Sequence, residues 1–242
     1  MRPGWGRGTA FLAVLAAWPC GAAAQPGNPA GGRIEVAGAA MWVTSTPLGG
    51  SAASLTPNVS QPPYALFSAA ADLAMSVGVD VRFGYRVSRA LTLSLTGGAS
   101  RAPVRVRISG DAEGAPDASF TGDTLQQWTV GGRADYEIRK WRFASGRGRP
   151  FVLAAAGLLW QSHEGRASIE TGRVYEGGAG LAWTLGDRPS SWLSRWGLVA
   201  ELRVTHVQGG FSWGRGARTS PAFGGGVSTT WGRADKRGII GH

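Results

Sequence analysis

Cysteine is all but missing from this chain: Cys20 stands alone, in a stretch that we expect to be removed. A mature chain without thiols excludes disulfide scaffolds, thiol catalysis and cysteine-ligated metal. Histidine is nearly as scarce, with His163, His206 and His242 alone. No histidine or carboxylate grouping has the spacing of a metal site, and no phosphate-binding glycine loop or calcium loop occurs. Long apolar runs are missing as well. Beyond residue 24 none approaches the roughly 20 residues of a membrane helix. If the chain enters a membrane, it has to cross as strands.

What is present begins with an export signal. Arg2 and Arg7 precede an apolar core from Ala10 to Trp18, and Ala22-Ala23-Ala24 offers a small-residue exit before Gln25. This pattern is a cleavable secretory signal peptide over 1–24. Trp18-Pro19 before Cys20 argues against lipoprotein processing there. The formal charge is +10, which in a cytoplasmic protein would point to nucleic acid. Export redirects that expectation to anionic lipid and lipopolysaccharide phosphates, with no nucleic acid as partner.

Glycine is abundant, at 39 residues, yet it follows no repeat. It is scattered through segments that alternate with period two, as in tightly curved strands with a crowded interior. The clearest runs from Asp72 to Val87. Leu73, Met75, Val77, Val79, Val81, Phe83, Tyr85 and Val87 share one face, while Asp72, Asp80, Arg82 and Arg86 share the other. Leu91, Leu93 and Leu95 alternate with threonine and serine in the next segment. Val104, Val106 and Ile108 then alternate with Arg105 and Arg107, which reads as a strand extension above the membrane with a bulge at Pro103. Similar alternation sets Glu35, Arg133, Asp135, Glu137, Glu176, Glu201 and Arg203 opposite apolar neighbours in four further segments. A last one sets Phe223, Val227 and Trp231 opposite Gly224, Gly226 and Ser228. The stretch 151–160 is apolar on both faces, so its orientation stays open.

Eight strands result, and the intervals between them alternate in length. The links 45–71, 101–120, 161–173 and 206–221 are long, whereas 88–90, 139–149 and 186–195 are shorter. That order fits long external loops, short periplasmic turns and periplasmic termini. The aromatics then fall into two girdles. Trp42, Phe120, Trp128, Trp160, Tyr175 and Phe223 mark the outer one. Phe83, Tyr85, Tyr136, Phe151, Trp183, Trp196 and Trp231 mark the periplasmic one. The predicted fold is all-β: an eight-stranded antiparallel up-and-down transmembrane β-barrel over 33–231, preceded by a short periplasmic lead (25–32) and followed by a periplasmic tail (232–242).

With its patterned segments 77–87 and 128–138, and with Arg149-Pro150-Phe151-Val152-Leu153-Ala154-Ala155-Ala156-Gly157 like an Arg-Pro-aromatic opening of strand five, the chain resembles the small eight-stranded outer-membrane barrels. That group holds the opacity, attachment-invasion and porin-like surface proteins. The resemblance implies a monomeric porin-like surface protein of the Gram-negative outer membrane.

The inward charges Glu35, Asp72, Asp80, Arg82, Arg86, Arg133, Asp135, Glu137, Glu176, Glu201 and Arg203 have to pair, because an unpaired buried charge is very costly. They form either a plug or a narrow path for water and small ions. The external arginines Arg101, Arg105, Arg107, Arg166, Arg173, Arg215 and Arg218 suit lipopolysaccharide phosphates or a surface ligand. The turn 139–149 suits inner-leaflet phospholipid. Leu55, Val59, Tyr64, Leu66 and Phe67 read as apolar loop residues. His163 and His206 read as solvent-facing loop or strand-end residues. None of the histidines is followed two residues on by serine, as in lipid A deacylases. The expected function is therefore non-enzymatic, in envelope integrity or surface interaction through external loops, with no catalytic, cofactor or metal residues. A narrow small-solute or ion channel is the alternative, and lipid A modification the third.

Overall fold

The computed structural model describes residues 33–56, 62–164, 169–187, 193–211 and 216–231. The expected signal peptide, lead and tail lie outside them. The described residues form ten strands: β1 (Arg33–Val43), β2 (Thr46–Leu55), β3 (Tyr64–Leu73), β4 (Ser76–Arg86), β5 (Leu91–Ser109), β6 (Ala118–Glu137), β7 (Gly148–His163), β8 (Ile169–Asp187), β9 (Leu193–Gly209) and β10 (Arg218–Trp231). All pairings are antiparallel, and eight strands close a ring. From β4 each strand pairs with the next as far as β10, and β1 lies between β10 and β4. Closure satisfies every neighbouring backbone and leaves the ring no edge.

The two remaining strands revise the expected loop over 45–71. β2 pairs with β3, and β3 pairs with the far half of β5, Val104–Ser109. β1 and β2 are thus one path with a step at Thr44–Ser45, and β3 and β4 are another with a step at Ala74–Met75. Together with the far halves of β5 and β6 they raise a sheet beyond the ring. Each step faces a proline of the adjacent strand, which offers a carbonyl but no N–H. The Thr44 N–H and hydroxyl both donate to the Pro221 carbonyl (3.2 and 3.1 Å), and the Ala74 N–H donates to that of Pro103 (2.9 Å). The bulge expected at Pro103 is present as a register shift between Pro103 and Arg105 against β6.

The steps invert the side-chain alternation. β4 turns even-numbered residues inward, with Ser76 and Arg82 buried, whereas β3 buries odd-numbered Ala71 and Leu73. Asp72 is consequently not an inward charge: it lies on the outer face, opposite Arg105 in register. Leu73 moves the other way, from the expected outer face to the interior. The raised sheet is apolar inside, where Leu48, Ala71, Leu73, Ala102, Val104 and Leu125 pack with Val106 and Phe211. That burial explains why much of the expected loop sequence is strand.

Around the ring the outer face is uniform. The outward positions of 34–42, 77–87, 93–99, 128–136, 152–160, 175–185, 196–204 and 223–231 carry no charged residue. Large apolar side chains stand open there, including Val79 at 60%, Leu95 at 63% and Leu202 at 61% exposure. Four to six outward positions per tilted strand correspond to the roughly 25 Å apolar band of a membrane barrel. Trp42 stacks on Phe223 at 5.4 Å, and Trp128 is the register partner of Trp160. Toward the short turns stand Tyr85, Tyr136, Trp183, Trp196 and Trp231. No helix among the described residues is long and apolar enough to cross a membrane.

Candidate functional site

Charge has gone to the interior, and it forms one connected system. Glu137 opens it at the short-turn end, where Arg86 (3.9 Å), Arg149 (3.7 Å) and Arg142 converge. Arg86 also reaches Glu35 at 4.0 Å, and Glu35 accepts from Arg82 at 3.3 Å. Mid-barrel, Glu201 receives Arg133 at 2.7 Å, Arg82 at 3.8 Å and Arg203. Arg133 holds Asp135 at 2.8 Å, and Arg203 holds Asp80 at 2.5 Å and Glu176 at 3.1 Å.

Six carboxylates (Glu35, Asp80, Asp135, Glu137, Glu176, Glu201) therefore meet six guanidinium groups (Arg82, Arg86, Arg133, Arg142, Arg149, Arg203). Such balance is what makes buried charge tolerable, since each ion's desolvation is offset by close opposite charge and hydrogen bonds. Thr96 donates to Asp80 at 3.1 Å, and Thr205 to Glu176 at 3.3 Å. The Arg133 and Glu201 side chains are 1% and 2% exposed. Here the lumen is filled.

Ten of the eleven charges expected inside are in this system, and Asp72 is not. Two further members, Arg142 and Arg149, belong by sequence to the periplasmic turn, and the structure turns both to Glu137. Phe151, expected in the periplasmic aromatic girdle on the lipid face, is a correction. It is buried instead, with the Arg133 guanidinium 5.9 Å from its ring centre. Room for that ring comes from Gly180 on β8, where a Cβ would lie 2.4 Å from Phe151 Cζ. The orientation of β7 was readable from its polar ends: Arg149, Gln161 and His163 are all odd-numbered, and all are buried with Phe151, Leu153 and Leu159.

Above the charges lies a cavity of about 120 Å³, floored by Asp80, Glu176 and Arg203 and walled by Ser76, Ser100, Gln127, Thr129 and Ser220. A second set of residues closes in at its mouth. Arg218 is buried on the inward face and so is not an external loop charge. It donates to the Phe211 carbonyl and, at 3.1 Å, to Gln161 Oε1. Gln161 Oε1 also accepts the Phe211 N–H at 2.7 Å. The Phe211 ring meets His163 edge-on at 4.3 Å. His163 is accordingly buried rather than solvent-facing, because its inward position at the end of β7 sets it against the Phe211 ring. His206 pairs with the Thr219 hydroxyl at 2.9 Å. No group of three or more histidine, cysteine or acidic side chains among the described residues is arranged to hold a metal.

Of the other external arginines, Arg101, Arg105, Arg107 and Arg173 are exposed. Arg166 and Arg215 lie outside the described residues, as does Val59. Leu55, Tyr64 and Phe67 are exposed on β2 and β3, in strands and not in a loop.

The barrel is inside out. An uncharged apolar exterior around a charged lumen is the polarity of a barrel held in a bilayer. No protein-family model matches the sequence, and no curated protein matches it. Among solved structures the chain is similar to Neisserial surface protein A, with a TM-score of 0.49 and 15% identity over 82% of this chain and 98% of that one. It is also similar to the outer membrane protein OprG from Pseudomonas aeruginosa (TM-score 0.47, 10% identity, 83% and 96% covered). A third is Ail, the attachment invasion locus protein of Yersinia pestis (TM-score 0.35, 10% identity, 81% and 98% covered). At these identities the shared feature is the barrel architecture alone.

Proposed function

We propose that the chain is a non-enzymatic barrel of the Gram-negative outer membrane whose working surface is the raised sheet outside the bilayer. The observation that carries this reading is the division of the molecule into a filled lumen and an exposed external face. The buried Arg82–Glu201–Arg133–Arg203 cluster occupies the middle of the lumen. Outward positions of β5 change from Leu93, Leu95 and Ala99 to Arg101, Arg105 and Arg107 where the strand leaves the apolar belt. Three guanidinium groups along one strand suit the phosphates of lipopolysaccharide, because the planar fork binds such groups bidentately, and their excess over the one facing carboxylate, Asp72, leaves the stripe cationic. The barrel is then a rigid stand, and its external face acts in envelope integrity or surface contact.

The test is binding of purified lipopolysaccharide to the folded chain in detergent, compared with an Arg105→Gln/Arg107→Gln variant. A tenfold or greater loss of affinity, with an unchanged heat-dependent gel shift, supports the reading, and equal affinity overturns it. The cavity above Asp80 and Glu176 favours a second reading, a narrow conducting path. Single-channel recording of the wild type separates the two: a closed trace fits the plug, and steady cation or anion current fits the path.

A further inference from the structure

The turn between β6 and β7 is built unlike a solvent loop. Its residues 139–147 read Arg-Lys-Trp-Arg-Phe-Ala-Ser-Gly-Arg, with four cations and no acid. It is held in shape from several sides. Trp141 N–H donates to the Ile138 carbonyl at 3.0 Å, and Phe143 and Gly148 exchange both backbone bonds at 3.2 and 3.1 Å. Thr184 N–H donates to the Arg147 carbonyl at 2.9 Å, and Arg142 is tied to Glu137. Positive φ at Ala144, Ser145 and Gly146 folds the tip tightly.

This fixed frame holds two rings in the open. Trp141 is 61% exposed and Phe143 46% exposed. Phe143 packs on Trp183 at 5.6 Å between ring centres, so the aromatic surface of the turn continues the apolar belt of the barrel. Lys140 Nζ lies 6.0 Å from the centre of the Trp141 ring. Arg139, Lys140 and Arg147 point to solvent with no carboxylate in the turn to neutralise them.

We infer that this turn is a lipid-anchoring site that binds anionic phospholipid headgroups of the leaflet on the short-turn side, with Trp141 and Phe143 seated at the headgroup level and Arg139, Lys140 and Arg147 on the phosphates. The inference rests on the membrane reading above and adds a specific lipid contact to it. Amphipathic rings prefer the interface, and basic residues beside an anionic leaflet are attracted within a Debye length. The external arginines stand at the opposite end of the barrel, so the two ends take different lipids.

The experiment uses the full mature chain folded into phosphatidylcholine vesicles containing a minor fraction of phosphatidylglycerol. Bromine is carried either on the phosphatidylglycerol or, at the same total amount, on the phosphatidylcholine. Excess quenching of tryptophan fluorescence by the brominated anionic lipid reports its enrichment around the protein. We expect enrichment in the wild type, and its fall by tenfold or more in Arg139→Gln/Lys140→Gln/Arg147→Gln, from about fivefold per charge. Trp141→Phe should lower the excess quenching by removing the ring nearest those lipids. The Arg105→Gln/Arg107→Gln variant should leave the enrichment unchanged. Equal quenching by both brominated lipids in the wild type overturns the inference, as does loss of enrichment in the external variant but not in the turn variant. Heat-dependent gel migration of each vesicle sample is read in parallel. A wild type that never shows the folded band overturns the membrane reading, a result distinct from a folded barrel lacking anionic lipid enrichment.

Discussion

Replacing Glu201 with glutamine removes one negative charge from the centre of the lumen with almost no change in shape. Three guanidinium groups lose their shared counter-charge: Arg133 at 2.7 Å, Arg82 at 3.8 Å, and Arg203. Each keeps a second carboxylate, Asp135, Glu35, or Asp80 with Glu176. The loss therefore falls well short of three isolated pairs, each worth about 4 kcal/mol at an effective dielectric near 20. Breaking a buried pair by removing one member costs about 3–5 kcal/mol, and the remaining partners place Glu201→Gln in that range. Urea unfolding in detergent micelles, followed by the heat-dependent gel shift, gives the assay. With a slope of about 2 kcal/mol/M, the midpoint should fall by about 1.5–2.5 M. Adding Arg133→Gln should cost less than the sum of the two single changes, because the second removes a charge the first left exposed to repulsion. A midpoint change under about 0.5 M, or strict additivity, would refute the claim that Glu201 is the hub of the plug.

Other perturbations test separate parts of the structure. Phe151→Ala should destabilise by about 3–5 kcal/mol as a buried ring is lost, whereas Phe83→Ala, on the outer face, should cost clearly less in the same unfolding assay. Val81→Arg places a charge in the middle of the apolar belt and should cost about 2–4 kcal/mol in vesicles; a neutral result would contradict the position of the bilayer. Gln161→Ala removes the acceptor shared by Phe211 and Arg218. Limited proteolysis of the folded protein should then cut faster next to Phe211, and an unchanged cleavage rate would deny that Gln161 holds Phe211 in place.

How far the sequence reaches is clearest along β4. Val77, Val79, Val81, Phe83 and Tyr85 alternate with Asp80 and Arg82, and the observed faces follow that alternation residue by residue. A strand's two faces are a local consequence of its pleat, so period two alone separates lumen from lipid. Four residues further back the same reasoning puts Asp72 on the wrong face, because a step in the backbone at Ala74–Met75 leaves no mark on hydropathy. The raised sheet was visible only at 104–108. Residues 46–55 and 64–73 are small and mixed in character, and their strand state depends on pairing with each other and with β5. β7 stays ambiguous in its apolar middle, and the signal that carries its orientation lies at its ends, in the shared parity of Arg149, Gln161 and His163.

The candidate site divides the same way. Alternation was enough to place Glu201, Arg133 and Arg203 on inward faces, and with the absence of long apolar runs it determined a barrel of eight strands with charge inside. Which guanidinium meets which carboxylate is a different kind of information. Arg82 on β4 reaches Glu201 on β9, and Arg203 on β9 reaches Asp80 on β4, across a lumen that exists only after the ring has closed. Those pairs, the burial of Phe151 above Gly180 and the seating of Phe211 on Gln161 all depend on register and barrel radius. Both are set by closure of the whole sheet and not by any one strand.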